Sequence, residues 1–409
     1  LIILSILFNF AFGLLIEKWD DSPGRRRTAF ILMLCLNIGL LLYFKYAAFF
    51  VENLNAFCGL SLPVPDIALP LGISFYTFQI MSYGIDLYRR KIRAAHSLLK
   101  LGTYIVMFPQ LIAGPIVVYS EVEEDLRSRT ISFSAVEEGI RIFILGLASK
   151  VLIANNVGQL WEELQVLGYD NISTPLAWLG ALAFTLQIYF DFNGYSLMAI
   201  GLGRMLGFSF PKNFDFPYIS ASITEFWRRW HMTLSAWFRE YLYIPLGGNR
   251  RGKGRSCFNL FVVWFLTGFW HGAAWNFILW GLYFFVLLLL ERAFLRDFLR
   301  KHRIFSHVYT MFFVMISWVI FAITELPSLT QYLGRMFSAC GGRDIIYYYL
   351  GNYGVVLALG CLLSTPALRR AYGRIRESFG GVLLHMALLL LSVAYLADLS
   401  FNPFLYFRF

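Results

Sequence analysis

Residues 225–281 read EFWRRWHMTLSAWFREYLYIPLGGNRRGKGRSCFNLFVVWFLTGFWHGAAWNFILWG and hold two histidines in unlike settings. His231 falls in a helical pattern crowded with Trp and Arg. Trp227, His231, Leu234 and Phe238 recur at i, i+4, i+7 and i+11, and Phe226, Trp230, Trp237 and Tyr241 widen that face. Glu225, Arg228, Ser235 and Arg239 line the opposite face. The pattern predicts one amphipathic helix over 223–242, lying at the cytoplasmic surface of a membrane. His271 instead sits inside the apolar run 257–291, where Gly268 and Gly272 break the run.

Working outward, the rest of the chain explains why a membrane is invoked. Of 409 residues, 58% are hydrophobic and only 15% charged. A soluble domain of this size carries about a quarter charged residues. Apolar runs at 1–17, 29–48, 69–88, 141–157, 176–203, 306–326, 345–363 and 381–398 are each long enough to be read as crossing a bilayer core of roughly 30 Å. The predicted fold is all-α and polytopic, one transmembrane domain over 1–409. The chain begins with Leu1 directly in an apolar run, so one or two further spans are expected before it. The net charge of +10 does not point to nucleic acid, because the Lys and Arg lie in short loops between apolar runs. The five Cys (35, 58, 257, 340, 361) show no CxxC spacing, so neither a metal site nor a disulfide framework is indicated, although Cys58 and Cys340 both fall in predicted outer loops.

Loop charges assign sides. The stretches 18–28, 88–100, 204–256, 292–303 and 364–380 are basic, whereas 49–68 and 158–175 have no Lys or Arg and 327–344 has two. Basic loops belong in the cytoplasm. The runs 101–117 and 257–291 break this alternation, and both contain helix breakers: Pro109, Gly114 and Pro115 in the first, Gly268 and Gly272 in the second. Irregular backbone survives at membrane depth only against protein or a watery cavity. Two re-entrant or hairpin elements are therefore expected near 101–117 and 257–291.

His271 is the sharpest candidate for chemistry. Ionisable groups at membrane depth are costly and mark functional sites by default. Imidazole titrates near neutrality and can take a proton at cellular pH, as the transfer of an acyl group to a hydroxyl requires. His231 is the second candidate. Asp191, the one formal charge in 176–203, needs a partner, either a catalytic His or an Arg such as Arg228 or Arg229. Asn193 lies beside it in YFDFNGY. Trp270, Trp275 and Asn276 flank His271. His96, His302, His307 and His385 sit near span ends and read as interfacial. The loop GGNRRGKGR (247–255) lacks P-loop spacing and reads as a contact for lipid head groups.

The motifs LPLGISFYTFQIMSYGIDLYR (69–89), MFPQLIAGPI (107–116), YFDFNGYSLMAIGLGRMLGF (189–208), PYISASITEFWRRWHMTLSAWFREYLYIPLGGNRRG (217–252), TGFWHGAAWNFILWG (267–281) and NPFLYFRF (402–409) carry a resemblance. In this order they resemble the bacterial membrane-bound O-acyltransferases, and among these the members that serve alginate O-acetylation. The resemblance implies a ring of helices around a central tunnel, His271 as the catalytic histidine, and His231 at a second position that the family fills with His or Asn. It implies acetyl-CoA as a cytoplasmic donor, no bound cofactor, a polysaccharide acceptor outside, a periplasmic or secreted SGNH-type partner, and the inner membrane of a bacterium. D-alanyl transfer to teichoic acid and O-acetylation of peptidoglycan are alternatives within the family. A proton-coupled transporter is the alternative from another class, with His271 and Asp191 as a relay.

Overall fold

Backbone groups with no water to bond must bond each other, and the described residues of this chain do so as helices, without a strand. The computed structural model describes residues 1–111, 114–339, 341–342, 344–398 and 404–405. The first part comprises α1 (Ile2–Lys18), α2 (Pro23–Cys58), α3 (Ile73–Tyr88), α4 (Leu98–Val106) and α5 (Tyr119–Arg127). Next come the long pair α6 (Phe133–Leu167) and α7 (Thr174–Met205). Two short helices follow, α8 (Ile223–Arg229) and α9 (Met232–Phe238). Then come the hairpin of α10 (Gly252–His271) and α11 (Trp275–Lys301), and finally α12 (Arg303–Ala322), α13 (Leu326–Phe337), α14 (Ile346–Leu363) and α15 (Phe379–Asp398).

Among the described residues, seven helices are long and apolar enough to cross a membrane: α2, α6, α7, α11, α12, α14 and α15. The chain is a multi-pass membrane protein. The 1–17 run forms a 17-residue helix, Ile2–Lys18, the length expected of it. One predicted span differs from expectation. The 69–88 run forms only the 16 residues of α3, buried nearly all round. A helix apolar on every side is a core element, and α3 lies within the protein.

Contacts between loops sort into two sets that follow the loop charges. On the basic side, Arg90 pairs with Asp20, Arg89 and Lys91 with Glu240, and Arg204 with Glu138. On the poor side, Ser173 bonds Asp344, Arg335 bonds the carbonyl of Asp170, and Trp275 bonds Asn53. Stretches 18–28, 88–100 and 204–256 therefore share one face, 158–175 meets 327–344, and 49–68 meets the hairpin tip.

Both runs that broke the charge alternation are broken in space. In the first, α4 has nine residues, about 14 Å, less than half of a bilayer core. A four-residue turn of helix follows at Phe108–Leu111, and residues 112 and 113 lie outside the described set. In the second, α10 and α11 fold back on each other. Gly268 and Gly281 let them touch: a Cβ on Gly281 would stand 2.3 Å from the Trp264 carbonyl oxygen and 3.1 Å from Cα of Gly268. The hairpin returns the chain to the side it left, which restores the alternation of loop charges.

Packing forms two apolar clusters. One surrounds α6–α13, and the other joins α1–α5 with Phe208 and Phe210. The hairpin tip lies at their seam, since Trp270 belongs to the first cluster while Phe269 packs against the second.

Candidate active site at the hairpin tip

His271 is the last residue of α10. The final carbonyls of a helix have no partner within it and carry partial negative charge. α2 supplies the missing donors. Lys45 Nζ donates to the carbonyls of Trp270 at 2.5 Å and His271 at 3.1 Å, and the Tyr46 hydroxyl donates to that of Phe269. A third Lys45 contact reaches Ser74 Oγ at 3.3 Å. Lysine in the middle of an apolar run is thereby explained: its ammonium caps a helix end. On the far side, Asn276 Nδ2 donates to the carbonyls of Ile320 and Phe321 at the end of α12.

The His271 ring is buried among aromatics. Trp280, Trp270 and Phe321 stand 4.9, 5.0 and 5.3 Å from it, centroid to centroid.

His231 arrives by a different route. The helix predicted over 223–242 is not continuous. It stops at Trp230, and His231 takes φ 42° and ψ 56° before α9 begins. Residues with a Cβ rarely hold such a conformation, and it clusters at functional sites. A short backbone pairing holds the break open: Asp215 N donates to the Arg229 carbonyl and Met232 N to that of Asn213, both at 2.9 Å. Glu291 from α11 accepts from the backbone N–H groups of Ile223 and Thr224, capping α8. Nor does the segment's apolar face meet lipid. Phe226, Trp227, Trp230, Leu234, Trp237 and Phe238 are all buried, because the break turns both short helices into the protein core. His231 is only 1% exposed. Its Nδ1 bonds Asn213 Oδ1 at 3.0 Å, and its ring meets Phe192 at 4.8 Å and Trp270 at 6.4 Å. Trp270 thus lies between the two histidines, stacked on Phe78.

Two clefts approach this place from the basic side. An apolar one of about 240 Å³ is walled by Trp227, Leu234, Phe238, Leu260, Trp264 and Thr267. Thr267 is one helical turn before His271. A larger cavity of about 940 Å³ shares Arg228, Tyr243 and Leu260 with it and adds Arg229, Arg292, Arg296 and Arg300, against Asp215, Glu225 and Glu291. At this face Asp215 accepts from Lys212 and lies beside Arg229, and both contacts hold its carboxyl below the usual range. From the poor side a third cleft, of about 420 Å³, reaches Lys45 past Glu52 and Asp66.

The chain matches the family described as MBOAT, membrane-bound O-acyltransferase, over residues 87–331. The chain belongs to the membrane-bound O-acyltransferase family. Its reaction class is acyl transfer to oxygen. It is 38% identical to a probable alginate O-acetylase AlgI of Pseudomonas putida, over 98% of this chain and 89% of that one. A probable alginate O-acetylase AlgI of Pseudomonas aeruginosa is 42% identical over 81% of this chain, which spans 64% of that protein's length. A peptidoglycan O-acetyltransferase of Helicobacter pylori is 36% identical over 82% of this chain and 69% of its own.

Of the residues expected at the site of this O-acyltransferase, the fold brings His271, His231 and Trp270 together. Others are elsewhere. Asp191 pairs with neither a histidine nor Arg228 or Arg229 but with Lys150, and it accepts from the backbone of Leu405 at 2.8 Å. Lys150 reaches it from a π-helical turn, Ser149–Ala154, within α6. Arg229 is instead held by Asp215 and Glu225, and Arg228 is exposed, lining both basic-side clefts. Asn193 is half-buried, and it is Ser196, one turn on, that accepts from Asn213 Nδ2. Trp275 is 49% exposed on the poor side, so it does not wall the buried site. Asn276 supports the wall through Phe321. His385, expected at an interface, is buried against Tyr372. Lys45, Tyr46, Asn213 and Thr233 escape sequence reasoning. A charge inside an apolar run signals Lys45, but nothing in the sequence marks Asn213. Among the described residues no cluster of three His, Cys, Asp or Glu could hold a metal ion. Cys340, and most of 402–409, lie outside the described residues.

Proposed function

We propose that this O-acyltransferase carries an acetyl group from cytoplasmic acetyl-CoA to the far side of a bacterial inner membrane, for O-acetylation of an exopolysaccharide such as alginate, with an SGNH-type protein as partner. The reading rests on one observation above the others: an apolar cleft that ends a helical turn from His271 and shares Arg228, Tyr243 and Leu260 with an arginine-lined cavity on the basic face. Five arginines suit the phosphates of a nucleotide-type donor. The narrower cleft suits its pantetheine arm and keeps water from the thioester. The names of the relatives supply the acetyl group and the polysaccharide.

In this scheme His271 takes the proton of the acceptor hydroxyl as its oxygen attacks the thioester carbonyl. The new C–O bond forms, the C–S bond breaks, and the departing thiolate recovers the proton as a thiol. Tight aromatic packing around His271 fixes the ring for this exchange.

Purified protein in liposomes tests the reading, with acetyl-CoA on the basic-loop side and alginate oligosaccharide, with or without the SGNH-type partner, on the other. CoA release coupled to new acetyl esters supports it. Ester on peptidoglycan fragments but not on alginate redirects the acceptor. Solute flux without CoA release replaces the enzyme with a transporter.

A further inference from the structure

The hydrogen bonds around His231 have only one consistent direction. The Thr233 hydroxyl accepts from the backbone N–H of Ile116 at 3.0 Å, so its own proton is free for Asn213 Oδ1, also at 3.0 Å. The backbone N–H of Thr233, which can only donate, points to the same oxygen at 3.4 Å. The opposite end of that amide, Nδ2, donates to Ser196 Oγ at 3.1 Å. Asn213 therefore turns its carbonyl to His231. A carbonyl can only accept, so the His231 nitrogen facing it, Nδ1, must carry the hydrogen. A neutral imidazole has one N–H. Nε2 is then a bare lone pair, and it is buried with no hydrogen-bond partner among the described residues.

We propose that Asn213 is a positioning residue for acyl transfer: it locks His231 as the Nδ1–H tautomer, so that Nε2 meets the reactants as an acceptor and never as a donor. The proposal rests on the acyl-transfer reading above and changes one part of it. A role for His231 in holding the thioester carbonyl of the donor is the one it excludes. A thioester carbonyl needs a hydrogen-bond donor, and Nε2 has no hydrogen to give. Its complement is a group that carries a proton, such as the acceptor hydroxyl. The left-handed turn at His231 serves the same end, since a continuous helix would carry the ring away from Asn213.

The direct test needs no turnover. The protein has six histidines. In ¹⁵N-histidine protein in lipid bilayers, the His231 signals are assigned by their loss in H231Q. Protonated Nδ1 with unprotonated Nε2 is the expected result, and the reverse overturns the proposal. The kinetic test compares two substitutions. Asn213→Ala should lower kcat at least tenfold with KM for acetyl-CoA unchanged, since tautomer control in the serine-protease triad reaches about 10⁴. Asn213→Asp keeps an acceptor at Nδ1 and adds a negative charge. It should retain more activity than Asn213→Ala and move the acid limb of the pH–rate profile upward. If both variants fall equally, with an unchanged profile, Asn213 is a packing residue and the proposal fails. Failure of the wild type to release CoA would sink the acyl-transfer reading instead, and would leave the tautomer measurement standing.

Discussion

The two histidines of the site are held in opposite ways. Around His271 the described hydrogen bonds act on the backbone, and aromatic rings pack its side chain: Lys45 and Tyr46 cap the end of α10, and Gly268 against Gly281 closes the hairpin behind it. The contacts that fix His231 act on its ring, through Asn213, and on a strained turn beside it. A backbone clamp places a ring without deciding which of its nitrogens carries the proton. A ring clamp decides which nitrogen carries the proton. The pairing suits a site where one imidazole exchanges protons and the other presents a set lone pair.

The largest effect that can break this contrast is His271→Ala. Removing a general base lowers rates by about 10²–10⁴. CoA release should fall by that factor while the protein still inserts and accumulates. Near wild-type turnover in that variant would remove His271 from the chemistry and leave His231 as the sole base.

Next comes the clamp on α10. Lys45→Met keeps the apolar stem and deletes the ammonium, leaving the carbonyls of Trp270 and His271 without that donor. A buried acceptor left without its donor costs about 1–3 kcal/mol. Thermal unfolding in detergent should show a loss of that order, and kcat should fall although Lys45 lies on the side away from the donor clefts. A stable but inactive Lys45→Met would show that the ammonium acts on the reaction itself and not through the helix end.

A somewhat smaller effect is expected at the hairpin crossing. Gly281→Ala drives a methyl against the Trp264 carbonyl and Gly268. Overpacking of this kind costs about 1–3 kcal/mol. Aromatic fluorescence near Trp264 and Trp280 should report the separation. The His231 mount should be untouched, so the tautomer signal at His231 should not move.

The smallest effect is one of pH, on the His231 side. Asp215 carries the backbone pairing that holds the break open, and its carboxyl is held low by Lys212 and then Arg229. A depressed carboxyl contributes stability above its unfolded value, here 3.8, and loses it as pH falls through the folded value. Amides of 213–232 should exchange equally at pH 7 and 5, after correction for intrinsic rates, and faster below about pH 3.8. Asp215→Asn should abolish that step. Loosening of the α10 tip at the same pH would mean that the two mounts are not independent.

Much of this was legible beforehand. Helices, hairpin and loop sides follow from hydropathy and from where Lys and Arg stand, because a bilayer charges each residue for its own polarity. His271 stood out for the same reason. The His231 segment misled, because its apolar residues repeat at helical spacing whether the helix runs on or breaks at residue 231. The partner of Asp191 misled too: the nearest basic residues in the motif, Arg228 and Arg229, are engaged elsewhere, and Lys150 is brought close by α6 lying against α7.

The sequence by itself determined a polytopic, all-helical chain with an ionisable histidine in an apolar hairpin, because those properties are local sums over neighbouring residues. Only the tertiary structure decided what holds that histidine and its companion. Lys45 is 226 residues from His271, and Asn213 is 18 from His231 across a broken helix. Caps and tautomers depend on which donor meets which acceptor in space, and no periodicity along the chain records that meeting.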